Sequence, residues 1–221
     1  MKLAFSALCK MVLGLALFAL LLFLPAGTWD YGGGWFFLAL LFFPMLLLGA
    51  LLLWKAPSLL QKRLEMREQE AGQRAVVIGS AVGFAAGFVT AGLDFRFGWS
   101  HVPIAAVIAA ALVFSLGYAL YAETMCENAY LFRTVKVESG QTVVDTGLYG
   151  IVRHPMYAAT ILMFLSAPIL LGSWYALIVF LFYPVLMVVR IVQEEKLLVR
   201  ELDGYAAYCE KVKYRLIPFV W

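Results

Sequence analysis

Apolar runs of about twenty residues recur through this chain, and they constrain its fold more than any motif does. The first ends at Pro25 and begins at Met11 or as early as Leu3; Trp35–Trp54, Ala75–Leu93 and Val102–Tyr121 follow. A helix of that length crosses the hydrocarbon core of a bilayer. Inside that core only helices or closed barrels satisfy their own backbone groups. The pattern returns over Tyr157–Leu171 and Trp174–Ile191, and the Gly172-Ser173 break between them predicts a tight helical hairpin. The expected fold is all-α: a polytopic integral membrane helical bundle of five to six transmembrane spans with a C-terminal helical hairpin. Composition agrees, since only 14% of residues are charged, against about a quarter in soluble domains.

Two parts are expected. Residues 1–122 hold four spans, with a charged connector at 55–74 (Lys55, Lys62, Arg63, Arg67 and Arg74 against Glu65, Glu68 and Glu70) that reads as a solvated linker helix. Residues 123–221 hold a long polar stretch, the hairpin and a polar tail from Gln193. Within the polar stretch, Val135-Lys136-Val137 and Thr142-Val143-Val144 read as short extended pieces around Ser139-Gly140. Lys2 and Lys10 precede the first apolar run without a small-x-small cleavage site after it, so the first run reads as an uncleaved span. Asp94, Arg96, Trp99 and His101 form a short polar turn. Gly79, Gly83 and Gly87 repeat at every fourth residue of the third span, a spacing that permits close helix packing in lipid.

The Lys/Arg distribution orients the chain. The first, third and fifth loops hold almost none, while the others and both termini hold nearly all. Six spans then put both termini, and the polar stretch Glu123–Arg153, in the cytoplasm. The start and the finish of the hairpin fall at one membrane face, where they can converge.

Several functions are excluded on composition. A net charge of +3 spread over several loops is no nucleic-acid footprint. Cys9, Cys126 and Cys209 stand far apart and show no ligand spacing, and His101 and His154 are the only imidazoles. No metal is expected.

In a chain so poor in charge, ionisable residues at span ends mark a functional site. Arg153-His154-Pro155-Met156-Tyr157 opens the hairpin, and Glu194-Glu195 follow its second limb. Arg190, Glu194 and Leu198 share one helix face at i, i+4 and i+8. Bland readings exist for each: Pro155 as a helix-opening proline, Arg190 as a cation snorkelling to headgroups, and the Glu pair as a solvated helix end.

The ordered set Gly147-Leu148-Tyr149, Arg153-His154-Pro155-Met156-Tyr157, Arg190, Glu194-Glu195, Tyr205, Tyr208 and Arg215-Leu216-Ile217-Pro218 resembles the isoprenylcysteine carboxyl methyltransferase family, to which phospholipid N-methyltransferases are related. The resemblance covers Thr146–Trp221, about a third of the chain. It implies a membrane enzyme that transfers a methyl group from S-adenosylmethionine to a lipophilic or lipidated acceptor within the bilayer. It further implies that residues 123–221 are the methyltransferase core, with Arg190 and Glu194 catalytic. Tyr149, Arg153, His154, Tyr157, Glu194, Glu195, Tyr205 and Tyr208 would bind the cofactor. The tail also resembles NADPH-dependent sterol reductases, and a non-enzymatic scaffold or transporter is a third reading. The acceptor's identity and the oligomeric state are open from sequence.

Overall fold

The computed structural model describes residues 2–64, 71–128, 130, 137 and 140–221, with the side chains of 71–73 left out. The Glu65, Arg67, Glu68 and Glu70 part of the connector and the Val135, Lys136 and Ser139 part of the polar stretch lie outside the described residues. The helices are α1 (Lys2–Ala26), α2 (Gly32–Lys55), α3 (Pro57–Leu64), α4 (Ala71–Phe97), α5 (Ile104–Glu127), α6 (Pro155–Leu170), α7 (Trp174–Phe180), α8 (Phe182–Glu201) and α9 (Tyr205–Lys211). A single 3-10 turn, Gly147–Gly150, precedes α6.

Among the described residues five helical stretches are long and apolar enough to cross a membrane: α1, α2, α4 from Arg74, α5, and the continuous α7–α8 rod Trp174–Glu201. The shorter α6 has 16 residues, about 24 Å at 1.5 Å per residue. Large apolar side chains such as Phe5, Leu13, Trp54, Ile104 and Leu112 stand exposed on the outer surface. An apolar surface of that extent is suited to lipid rather than water.

The helix is interrupted at Leu181, where α7 gives way to α8. Pro184 explains the interruption, because it has no N–H to give the Phe180 carbonyl one turn earlier. The hairpin turn closes at Gly172, whose φ of 77° places it in the left-handed region that only glycine enters cheaply. Ser173 then caps α7 by accepting from the Ala176 N–H at 2.9 Å.

The core forms where α2, α4, α5 and α7 meet. Phe37, Phe88, Phe114 and Phe180 are all fully buried, with Phe37–Phe88 ring centroids 5.5 Å apart and Phe88–Phe180 5.2 Å apart. The glycine series of α4 faces the last hairpin limb. A Cβ at Gly83 would lie 2.3 Å from the Phe182 ring, and one at Gly87 2.2 Å from the Phe180 ring.

Four expectations are corrected. Asp94 and Arg96 belong to the last turn of α4, which runs on to Phe97 instead of giving way to a polar turn. α8 continues to Glu201, so Glu194 and Glu195 sit two turns inside a helix and not at its end. Charged residues beyond the apolar span do not stop a helix whose inner face stays packed. Thr142-Val143-Val144 form no strand, and none occurs among the described residues. The described part of the connector is not a fully solvated helix: α3 buries Leu59 and Leu60 against Leu52 and Met125, and Arg63 donates to the Tyr121 hydroxyl from above its ring.

Candidate active site

Three segments meet at one end of the bundle: the entry to α6, the final turns of α8, and α9 with the tail behind it. The α6 entry is fixed by backbone bonds. The N–H of Arg153 donates to the Tyr214 carbonyl and that of His154 to the Arg215 carbonyl, each at 2.9 Å. Pro155 then opens α6, where its missing N–H costs nothing. Gly204, with φ 84°, turns the chain between α8 and α9 and sets Tyr205 and Tyr208 back against the site.

These segments enclose a half-open cavity. Tyr149, Arg153, His154, Tyr157, Arg190, Glu194, Tyr205 and Tyr208 all line it. Glu195 does not; it stands behind the wall. Sequence reasoning missed the rest of the lining, chiefly Asn128, Tyr130, Thr142, Val143, Met156 and Leu202. Leu202 had a usable signal, since it continues the Arg190, Glu194, Leu198 face by one more turn. Tyr130 and Thr142 lie in aperiodic chain with no such signal.

A hydrogen-bond relay crosses the cavity wall. Arg190 Nε donates to the Tyr157 hydroxyl at 2.9 Å, and that hydroxyl donates to Glu194 Oε2. The Arg190 guanidinium lies 5.9 Å from the Tyr157 ring centroid, and the His154 ring is stacked on the Tyr157 ring at 5.6 Å. Arg190 is 8% exposed, so it is held inside the protein and does not snorkel to the headgroups.

Glu195 is the centre of a second cluster. Its Oε1 is 2.8 Å from Arg153 Nε and 3.2 Å from His154 Nε2. Its Oε2 accepts from Arg215 Nε at 2.8 Å. Arg153 also donates through Nη1 to the carbonyls of Val212 (3.1 Å) and Cys209 (3.3 Å).

The two tail tyrosines differ. Tyr208 gives its hydroxyl hydrogen to the Tyr149 carbonyl at 2.7 Å and so fastens α9 to the turn before α6. Tyr205 is equally buried, yet its hydroxyl has no hydrogen-bond partner among the described residues. Burial, and then the charges of Glu195 and Glu194, hold this phenol well above its ordinary pKa, so it is a donor and not a base. A buried donor without a partner on a cavity wall is suited to a ligand acceptor atom.

The arrangement therefore offers a carboxylate, two guanidiniums, an imidazole and a waiting hydroxyl within an aromatic enclosure. That set fits a zwitterionic, partly aromatic ligand. Residues 105–200 match the model of the isoprenylcysteine carboxyl methyltransferase family. The chain is also 30% identical over 91 residues to Delta(14)-sterol reductase TM7SF2 of Mus musculus, covering 40% of this chain and 22% of that protein. The chain thus matches about a fifth of the length of this curated relative. The family match runs from the first turn of α5 to the last turn of α8 and takes in Arg153, His154, Tyr157, Arg190, Glu194 and Glu195, but not Tyr205, Tyr208 or Arg215. Residues 105–200, the stretch similar to the isoprenylcysteine carboxyl methyltransferase family, supply most of the cavity wall.

Proposed function

We propose that this protein is an integral membrane methyltransferase that takes its methyl group from S-adenosylmethionine and gives it to a lipophilic acceptor, such as the carboxylate of a prenylated cysteine. The observation that carries this reading is the meeting of Glu194, Arg153 and the partnerless Tyr205 hydroxyl in one cavity, on a hairpin matching a methyltransferase family.

When bound, S-adenosylmethionine supplies a methyl group activated by its sulfonium. Glu194 holds an ammonium, and Arg153 with His154 receives a carboxylate through charge-assisted hydrogen bonds. Tyr205 donates to a further acceptor atom, and Tyr149 and Tyr208 supply aromatic wall. Arg190 sits at the α6–α8 side of the cavity, where it orients the acceptor. The chain's contribution is alignment, for which fixed side chains are worth more than acid–base power. A carboxylate acceptor is already nucleophilic and needs no base. An amine acceptor needs one, and Glu194 or His154 would serve. The positive-inside pattern supports a cytoplasmic position for this end of the bundle and both termini.

The similarity to a sterol reductase supports one second reading, an NADPH-dependent reductase. Titration of detergent-purified protein with S-adenosylhomocysteine separates the two. Micromolar binding, abolished by Glu194→Ala and His154→Ala, is the expected result. No binding by folded protein, with NADPH binding instead, would overturn the methyltransferase reading.

A further inference from the structure

We infer that Glu195 serves the site indirectly, as the latch that holds the C-terminal tail and α9 against the hairpin, and that Arg215 is its partner. In its consequences for ligand affinity this rests on the methyltransferase reading; in its consequences for the tail it does not.

The argument begins with helix geometry. Neighbouring residues on an α-helix point about 100° apart, so Glu194 and Glu195 cannot face one cavity equally. Glu194 lines it and Glu195 does not. Instead Glu195 receives Arg153 Nε at 2.8 Å and His154 Nε2 at 3.2 Å on Oε1, and Arg215 Nε at 2.8 Å on Oε2. These donors come from two separate segments, the loop before α6 and the tail after α9. A carboxylate engaged in this way would have to release a donor before it took a ligand ammonium.

The same tail is held at further points. Arg153 Nη1 takes the carbonyls of Cys209 and Val212, at the end of α9 and just beyond it. The N–H groups of Arg153 and His154 take the carbonyls of Tyr214 and Arg215. Arg215 also lies over the Trp221 ring, 5.1 Å from its centroid. Glu195 binds Arg153, His154 and Arg215 together, so it joins hairpin, entry loop and tail at one point. The cargo of this latch is α9, which carries Tyr205 and Tyr208 into the cavity wall. Glu195 is therefore a positioning residue, and Arg215 gains a role that the family match, ending at residue 200, does not reach.

The test uses the full chain in detergent with two readouts. The first is the rate of tryptic cleavage after Lys213, without ligand. The second is S-adenosylhomocysteine affinity. Glu195→Gln and Arg215→Gln should each speed tail cleavage on the order of tenfold, as a local opening becomes easier. Each should weaken ligand binding, and the double variant should be no worse than the worse single one. Saturating ligand should slow cleavage of Glu195→Gln back toward the wild-type rate. Glu194→Gln should weaken binding with cleavage unchanged. Wild-type cleavage rates in both Glu195→Gln and Arg215→Gln would overturn the latch. So would additive losses of affinity in the double variant. If Glu195→Gln does not fold, Arg215→Gln, whose side chain is 34% exposed, decides the question alone. If wild-type protein binds no S-adenosylhomocysteine, the function reading fails while the cleavage readout still judges the latch.

Discussion

Arg190 Nε and the Tyr157 hydroxyl lie 2.9 Å apart, joining the middle of the last hairpin limb to the first turn of α6. The same hydroxyl passes its hydrogen to Glu194. Tyr157 thus links the guanidinium proposed to orient the acceptor to the carboxylate proposed to hold the cofactor.

Tyr157→Phe removes that link and nothing else of comparable size. A hydrogen bond to a charged group is worth about 1.5–3 kcal/mol. If Arg190 acts on the acceptor, turnover of a prenylcysteine carboxylate should fall about 10–100-fold. Affinity for S-adenosylhomocysteine should change far less. Steady-state kinetics set beside calorimetry checks this, and equal losses in both would assign the relay to cofactor binding.

Tyr205 allows a change with opposite signs on stability and binding. Its hydroxyl is buried without a partner among the described residues, so Tyr205→Phe removes an unsatisfied group and should leave the melting temperature unchanged or raise it. Ligand affinity should nevertheless fall about 3–10-fold, the value of one neutral hydrogen bond. Unchanged affinity would mean that the hydroxyl does not meet the ligand.

The glycine stripe of α4 gives a contrast within one helix. A Cβ at Gly87 would press on the Phe180 ring at 2.2 Å, whereas one at Gly79 would meet Leu186 at an ordinary 3.5 Å. Gly87→Ala should cost about 1–3 kcal/mol through overpacking. Gly79→Ala should be neutral or stabilising, because alanine is the better helix former. Thermal denaturation in one detergent compares them directly.

These positions also show what the sequence makes legible. Span length is dictated by bilayer thickness, so α1, α2, α4, α5 and the hairpin could be read from apolar runs alone. The every-fourth glycine spacing announced close packing because only backbone periodicity is needed to see it. Arg153, His154, Tyr157, Arg190 and Glu194 stood out because each is polar in apolar surroundings. Which carboxylate of the Glu pair faces the cavity was not legible: it depends on the rotation of α8 against α6, and that is set by packing between distant segments. Asp94 read as part of a turn because polar residues after an apolar run look like a loop. Of the serines that hold it, Ser100 is six residues on, but Ser173 is 79 residues away, out of view of any local window. Tyr130 and Thr142 sit in chain without periodicity, so only the tertiary structure brings them to the site.

Orientation remains a prediction from charge. A reporter fused after Trp221 should be active on the cytoplasmic side, as should labelling of a cysteine introduced near Lys213. A signal from the opposite side would invert the bundle and move the candidate site with it.

At the end of the bundle opposite the site, Asp94 and Ser173 predict a purely structural phenotype. Both are 1% exposed, and Ser173 donates its hydroxyl hydrogen to Asp94 Oδ2. Asp94 also receives the Ser100 N–H at 2.7 Å and the Ser100 hydroxyl at 2.6 Å. The Ser173 oxygen meanwhile caps α7. Ser173→Ala therefore withdraws a donor from a buried carboxylate and removes an N-cap in one step, at a combined cost of about 2–4 kcal/mol. From Ser173 to Glu194 the rod rises about 30 Å at 1.5 Å per residue, so the cavity should not register the change. The melting temperature should fall while S-adenosylhomocysteine affinity, measured well below the transition, stays at the wild-type value. A variant that kept its melting temperature would show that the remaining bonds from Ser100, with that of the Tyr31 hydroxyl to the Leu171 carbonyl at 2.6 Å, suffice to close this end of the bundle.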